Sequence, residues 1–277
     1  MPFVFETLNV HRESAVLFAA IEAPPMNLLG PELVRDLVSV IQEAEADPSI
    51  RVLVFSSADA DYFISHVDVT RIKEYRAEAA KLVGEPSIAL LFRRLSESRL
   101  VTIAQIEGRI RGAGSEFVLG CDMRFAARES AIFGQLENGV GLVPGGGAIQ
   151  HLARMMGRGR ALEVLLSSDD YGACMAEKYG WVNRAMPASE LGRFVASLAL
   201  RIGDFPAEGT ALIKERVNAI TLAPVEDFRR DSDLFLEAAR HPDSQARSRL
   251  AMQHGFQTRE GELELGRVLG ELSVRMP

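Results

Sequence analysis

A cluster of small residues, Gly112, Ala113, Gly114 and Ser115, runs straight into Glu116, and 21 positions later a second short segment, Phe133, Gly134, Gln135 and Leu136, ends in Glu137. The first cluster follows an apolar, strand-like run at 101–106 and opens a short helix from about Ala113. Small residues let main-chain amides approach a ligand closely. A helix N-terminus is positively polarised and stabilises developing negative charge. The chain must therefore build a strand, turn and helix unit that presents a carboxylate beside main-chain donors. A tight packing turn is the competing reading of the glycines, and an isolated Glu in a first helical turn is often only a dipole partner. The second glutamate, just ahead of the glycine-rich turn from Pro144 to Gly147, tips the reading toward an active site.

The commoner glycine motifs do not fit. Gly112 and Gly114 lack the third glycine of a dinucleotide fingerprint, since position 117 is Phe, and Gly145 to Gly147 are not followed by the Lys and Ser or Thr of a phosphate loop. Neither NAD nor ATP is indicated. Ser65, His66 and Asp68 are too close in sequence to align as a hydrolytic triad. The amide of Val67 is more informative: it lies between a strand end and a helix start, where it can serve as a second oxyanion donor beside the amide of Ala113.

Elsewhere the periodicity predicts an opening antiparallel hairpin from 3–10 and 15–21, and a helix from Pro31 to about Ala46 with Leu33, Leu37, Val40, Ile41 and Ala44 on one face. A short buried strand follows at 51–55. A loop is expected over 56–68, helical segments through about Ser98, and a further strand at 123–126. From Gly145 onward helices dominate, and Pro206, Pro224 and Pro242 mark helix starts. The pattern is an α/β core over 1–202 followed by a helical C-terminal region, 203–277, that caps the core or joins subunits.

With 277 residues, 47% of them hydrophobic, the chain can bury a large core, and a net charge of −7 offers no basic footprint for nucleic acid. Cys121 and Cys174 read as buried free thiols of a reducing compartment, and no metal-ligand spacing is present. Neither a secretory signal nor an apolar stretch near ~20 residues is apparent, so a cytoplasmic protein that does not enter the membrane is expected.

The ordered motifs resemble the crotonase, or enoyl-CoA hydratase/isomerase, family. Gly108, the run from Gly112 to Glu116, Cys121 and Asp122 resemble its central segment, and Phe133 to Glu137 resemble its second acidic segment. Pro144 to Gly147, Leu152, Gly157 and the run from Ala176 to Val182 continue the match in order. The resemblance implies a spiral of repeated strand, strand, helix turns with C-terminal helices that assemble homotrimers or dimers of trimers. It implies an acyl-CoA thioester substrate, with coenzyme A carried by the substrate and no separate cofactor or metal. Carried over by position, Val67 and Ala113 supply the oxyanion amides and Glu116 and Glu137 the acid/base pair. Asn27, Ser65, His66, Asp68, Gly112, Gly114 and Pro144 fall near the CoA and acyl pocket. The implied activity is hydration of a 2-enoyl-CoA, with enoyl-CoA isomerisation through one glutamate, or acyl-CoA binding without turnover, as alternatives. Three departures stand out: Ala113 where glycine is usual, Leu136 where proline is common, and His66 where a small residue is usual. The frequent C-terminal Phe, Glu, Lys, Arg segment is also missing, and 256–265 is acidic instead.

Overall fold

The computed structural model describes residues 4–275, so the part of the expected first strand at Phe3 lies outside the described residues. The opening hairpin pairs β1 (Leu8–Glu13) antiparallel with β2 (Val16–Ile21). His11 to Glu13, read as connecting residues, continue β1, and the reversal is confined to Ser14 and Ala15, with Ser14 at φ 52°. Helix α1 (Pro31–Ala46) follows with proline in its first turn, where a missing N–H costs no helical hydrogen bond.

Three strand, strand, helix turns then build the centre. The first is β3 (Val52–Ser57), β4 (Tyr62–Ile64) and the helices α2 (Ile72–Val83) and α3 (Ile88–Glu97). Strands β5 (Val101–Ile106) and β6 (Arg109–Arg111) lead into helix α4 (Ala113–Gly120). The third is β7 (Met123–Ala127), β8 (Ile132–Gly134) and helix α5 (Ala148–Met156). Each turn gives one strand to each of two sheets. β3, β5 and β7 run parallel in a six-stranded sheet, while β4, β6 and β8 run parallel in a four-stranded one. The second strand of each turn is only three residues long, too short to show a period in sequence. That is why the expected loop at 56–68 contains β4, and why β6 and β8 escaped notice. Gly108 holds successive turns together: its φ is +74°, and a Cβ there would lie 2.4 Å from the carbonyl carbon of Asp61.

The remainder is mostly helical. After α6 (Arg158–Ser167), strand β9 (Asp170–Gly172) closes the small sheet antiparallel to β8; after α7 (Ala173–Tyr179), β10 (Arg184–Met186) closes the large sheet beside β7. Helices α8 (Ala188–Asp204), α9 (Ala207–Thr221), α10 (Val225–Ala239), α11 (Pro242–Gln253), α12 (Arg259–Leu263) and α13 (Leu265–Arg275) complete the order. Pro206 and Pro224 stand just before α9 and α10, and Pro242 opens α11, as expected.

Both faces of the large sheet are buried, which explains its nearly continuous apolar strands. On β3, Leu53 and Phe55 enter the main core, where Phe117 packs edge-on against Phe55 and Phe92 at centroid distances of 4.9 and 5.6 Å. Val52 and Val54 point the other way, onto Leu191, Val195 and Ala199 of α8. Helix α10 covers α3 through Phe228, and α11 and α13 pack against Leu136 and Val140. Both cysteines are free, and Cys121 is buried as expected; Cys174 is exposed, a correction that arises because its helix α7 turns only Ala173 and Ala176 inward.

Candidate active site

Adjacent strand exits bring the two glutamates to one place. β6 and β8 are parallel neighbours with Arg111 opposite Gly134, and the Gly112 N–H extends the pairing by donating to the Gly134 carbonyl at 3.0 Å. Glu116 follows β6 in the first turn of α4, and Glu137 follows β8 at the start of a 3-10 turn, Glu137–Val140. The 21-residue separation in sequence is the length of one full turn of the fold. Gly112 takes the strained backbone, with φ +50°, leaving Ala113 as the first residue of α4. An alanine methyl is therefore accommodated at a position where the family usually has glycine. Gly114 permits close approach to β4, since a Cβ would lie 2.2 Å from the Ile64 carbonyl oxygen.

Both acids are buried. Glu116 Oε1 accepts from the Gly146 N–H at 2.7 Å and the Ala148 N–H at 3.1 Å; Glu137 Oε2 accepts from Gln135 Nε2 at 3.1 Å. Burial pushes Glu116 up to about 7 against the bonds from those amides, and burial followed by the nearby charge of Glu116 pushes Glu137 up to about 8. The titration belongs to the pair, and one carboxyl keeps its proton while the other ionises. Such a pair can exchange protons near neutral pH.

Val67 and Ala113 both line the cavity that holds the two acids. Leu29 and Val67 form a parallel bridge in which the Leu29 N–H donates to the His66 carbonyl and the Asp68 N–H donates to the Leu29 carbonyl. That pattern turns the Val67 N–H away from Leu29. Among the described residues neither Val67 N–H nor Ala113 N–H has a hydrogen-bond acceptor, yet both residues line the cavity with Glu116 and Glu137. Its remaining walls are largely apolar, with Tyr75 and Ile88 on one side and Leu136, Val140, Phe235 and Phe256 on others; Arg76 and Ser248 are its other polar lining residues apart from His66.

Of the residues expected at the pocket, His66, Val67, Ala113, Glu116 and Glu137 line this cavity. Asn27, Ser65, Asp68, Gly112, Gly114 and Pro144 do not. Asn27 is committed to the interior, its Oδ1 accepting from the Ala23 N–H and its Nδ2 donating to Ser57 Oγ and the Tyr62 and Phe63 carbonyls. Ser65 donates to the Met26 carbonyl, and Asp68 is held by Thr70 and Gln257. Gly112 and Gly114 serve as backbone joints, and Pro144 is buried in the turn that delivers Gly145 and Gly146. These residues shape the site from behind.

The acidic C-terminal segment supplies the residues that sequence reasoning missed. Phe256 stacks on His66 with centroids 4.4 Å apart, and Glu262 Oε1 lies 2.8 Å from His66 Nε2. Glu262 Oε1 also accepts from the Gln257 N–H, while Gln257 Oε1 accepts from the Val69 N–H. Arg111 donates from Nη1 to the Glu262 carbonyl and grips Asp170 with two 2.7 Å bonds. Arg259 reaches the Pro25 carbonyl, Asp59 and Asp61. Burial alone would raise the Glu262 carboxyl, but His66, the Gln257 N–H and Arg111 hold it below its ordinary value. A separation of 196 residues between His66 and Glu262 leaves no local trace of their pairing.

A parallel-sheet spiral carrying a buried carboxylate pair beside unpaired amides defines an acid/base enzyme scaffold. A profile described as enoyl-CoA hydratase/isomerase matches residues 11–257, and the chain belongs to that family. It is 29% identical over 210 residues to a short-chain-enoyl-CoA hydratase of Clostridium acetobutylicum, covering 76% of this chain and 80% of that protein. A crotonyl-CoA hydratase of Syntrophomonas wolfei is also 29% identical, over 72% of this chain and 76% of the relative. Among solved structures, a protein from Streptomyces avermitilis provisionally named an enoyl-CoA hydratase superposes with a TM-score of 0.95 at 50% identity, covering 98% of both chains. An enoyl-CoA hydratase from Mycobacterium avium subsp. paratuberculosis superposes with a TM-score of 0.79 at 25% identity, covering 90% of this chain and 97% of that one.

Proposed function

We propose that this protein is an enoyl-CoA hydratase that adds water across the α,β double bond of a 2-enoyl-CoA, using Glu116 and Glu137 as its acid/base pair. The observation that carries the reading is the burial of two carboxyls of raised proton affinity in one cavity with two amides that have no acceptor among the described residues. Val67 and Ala113 donate to the thioester oxygen. The amides of Gly146 and Ala148 favour charge on Glu116, which makes it the base and leaves Glu137 as the donor.

Water attacks the β-carbon as its proton passes to Glu116, and the π electrons of the double bond move toward the thioester oxygen as an enolate. The enolate collapses, its α-carbon taking the proton of Glu137, and the product is a 3-hydroxyacyl-CoA. Two fixed donors at the oxyanion lower the barrier, each worth about 10²- to 10³-fold, and positioned acid/base catalysis adds roughly 10²- to 10⁴-fold. The sequence of steps draws only on carboxyls and amides, so no cofactor or metal is needed beyond the coenzyme A of the substrate.

Apolar side chains on α9, among them Leu212, Ile213, Val217 and Ile220, are exposed, and they support assembly into a homotrimer or dimer of trimers. No helix among the described residues is long and apolar enough to cross a membrane, which fits work in the cytoplasm. The test is hydration of 2-enoyl-CoAs by wild type, Glu116→Gln and Glu137→Gln, followed at the conjugated-thioester absorbance. Loss of turnover in both variants is expected. Undiminished turnover in either, or double-bond migration of 3-enoyl-CoAs without water addition, overturns the assignment.

A further inference from the structure

The acyl cavity carries a positive charge that the hydration steps do not use. Arg76, on α2, lines the cavity together with Glu116, Glu137 and the two amide-bearing residues. It is half-buried, and the one hydrogen bond recorded for its guanidinium is from Nη1 to Ser232 Oγ at 3.1 Å. No carboxylate lies within ion-pair distance among the described residues; Asp233 influences it from an exposed position on α10. Burial holds the Arg76 guanidinium below its ordinary value, with Tyr75 and Asp233 opposing that shift. The neighbouring arginines show the contrast. Arg71 is paired with Glu32 and Glu74, and Arg93 and Arg94 pair with Glu97 and Glu45.

A guanidinium keeps its charge at any accessible pH, and removing it partly from water without a counter-ion is unfavourable. An anionic oxygen brought by the substrate relieves that cost and gains charge-assisted, planar hydrogen bonds. Ser248, which also lines the cavity, has no hydrogen bond recorded for its hydroxyl among the described residues and offers a neutral donor for the same group. The remaining walls near α2, formed by Tyr75, Ile88 and Phe235, suit a methylene chain.

We infer that the substrate of this site is an enoyl-CoA whose acyl chain ends in a carboxylate, which Arg76 binds at the end of the cavity away from the thioester. This inference rests on the acyl-CoA reading of the site but not on hydration. An alternative source of anionic oxygen is the phosphates of coenzyme A. Arg76 shares its cavity with the two buried glutamates and apolar side chains, a setting that suits one carboxylate on an acyl chain better than hydrated diphosphate.

The test compares saturated acyl-CoAs with ω-carboxyacyl-CoAs of the same chain length, over a series of lengths, by calorimetry on the full-length protein. Wild type is expected to bind the ω-carboxy member of the best-fitting pair roughly 10- to 100-fold more tightly, from one charge-assisted contact. In Arg76→Gln that ratio is expected to fall to about one, and Arg76→Lys should restore part of it; thermal melts check that both variants fold. No preference at any length overturns the proposal. So does an equal loss for both members of a pair, which assigns Arg76 to the coenzyme A phosphates. If binding discriminates as expected while no 2-enoyl-CoA is hydrated, the hydratase reading fails and this inference stands.

Discussion

His66 and Glu262 form a buried hydrogen-bonded pair that fastens the C-terminal segment to the loop carrying the Val67 amide. Nδ1 of His66 faces the Val67 carbonyl at 2.7 Å and Nε2 faces Glu262 Oε1 at 2.8 Å, with the two side chains 2% and 0% exposed. A carbonyl can only accept, so Nδ1 carries a proton. The His66 ring and the Glu262 carboxyl, with Arg111 Nη1 3.7 Å from Glu262 Oε2, make a polar cluster out of reach of solvent.

Replacing Glu262 with alanine takes the partner from the buried His66 Nε2, while Arg111 keeps its two 2.7 Å bonds to Asp170. Breaking one side of a buried pair costs about 3–5 kcal/mol, and urea unfolding should read that loss. His66→Ala is expected to cost a comparable amount, and the double variant less than the sum, because both substitutions remove the same buried contact. Since His66 precedes Val67, whose amide is proposed to hold the oxyanion, Glu262→Gln should lower kcat more than it raises KM. An unchanged kcat would separate the clasp from the chemistry.

The pH dependence of stability has opposite signs at the two carboxylate clusters. Glu116 and Glu137 hold protons more tightly folded than unfolded, with values of about 7 and about 8 against an ordinary 4.5. Their contribution is fully present below the unfolded value and is lost as pH rises through the folded values. Glu262 has a lowered value, so its contribution is present above about 4.5 and is lost as pH falls through the lowered value. In chemical denaturation from pH 5 to 9, Glu137→Gln should therefore gain stability on wild type as pH rises. The same variant should lose hydration activity, the usual exchange between stability and a strained site.

The glutamate pair is legible in sequence because Glu116 adjoins the small residues Gly112 to Ser115 and Glu137 precedes the glycine-rich turn at 144–147, and Ala113 is legible with the first of them. The short second strands β4, β6 and β8 are not, because three residues cannot display a period, although they are what brings Glu116 beside Glu137. Nor is the clasp: Phe256 and Glu262 meet His66 only after nearly the whole chain has folded. Asn27 and Ser65 show the converse limit. They lie in the right neighbourhood, but their hydrogen bonds are satisfied inward, and sequence does not reveal which way a polar side chain turns.

Leu136 stands where proline is common, yet its φ is −82°, near the angle a proline ring imposes. Packing does the work of the ring: Leu136 is buried against a cluster that includes Phe256, Leu265, Leu269 and Leu272 from the C-terminal segment. Leu136→Ala should cost about 2–4 kcal/mol through the cavity it leaves. It should also free Glu137 to leave its aim, lowering kcat by about tenfold or more in enzyme that is still folded, since small misplacement of a catalytic group is expensive. Loss of stability without loss of kcat would show that the 3-10 turn holds Glu137 unaided.

Gly146 sits against Glu116 so closely that an added Cβ would lie 2.4 Å from Oε2, 2.8 Å from Cδ and 3.1 Å from Cβ of that one side chain. No other neighbour within 3.1 Å opposes the methyl, and the Gly146 φ is not in the left-handed region, so Gly146→Ala asks only Glu116 to move. The displaced carboxylate loses its 2.7 Å bond from the Gly146 N–H and, on the proposed mechanism, its alignment with the attacking water. Stability should change by about 1–2 kcal/mol, while kcat should fall about 10²-fold or more. Because both substitutions act through the same carboxylate, Gly146→Ala combined with Glu116→Gln should be little slower than Glu116→Gln alone. Additive losses would place the function of Gly146 outside Glu116, and steady-state rates of the four proteins distinguish the outcomes.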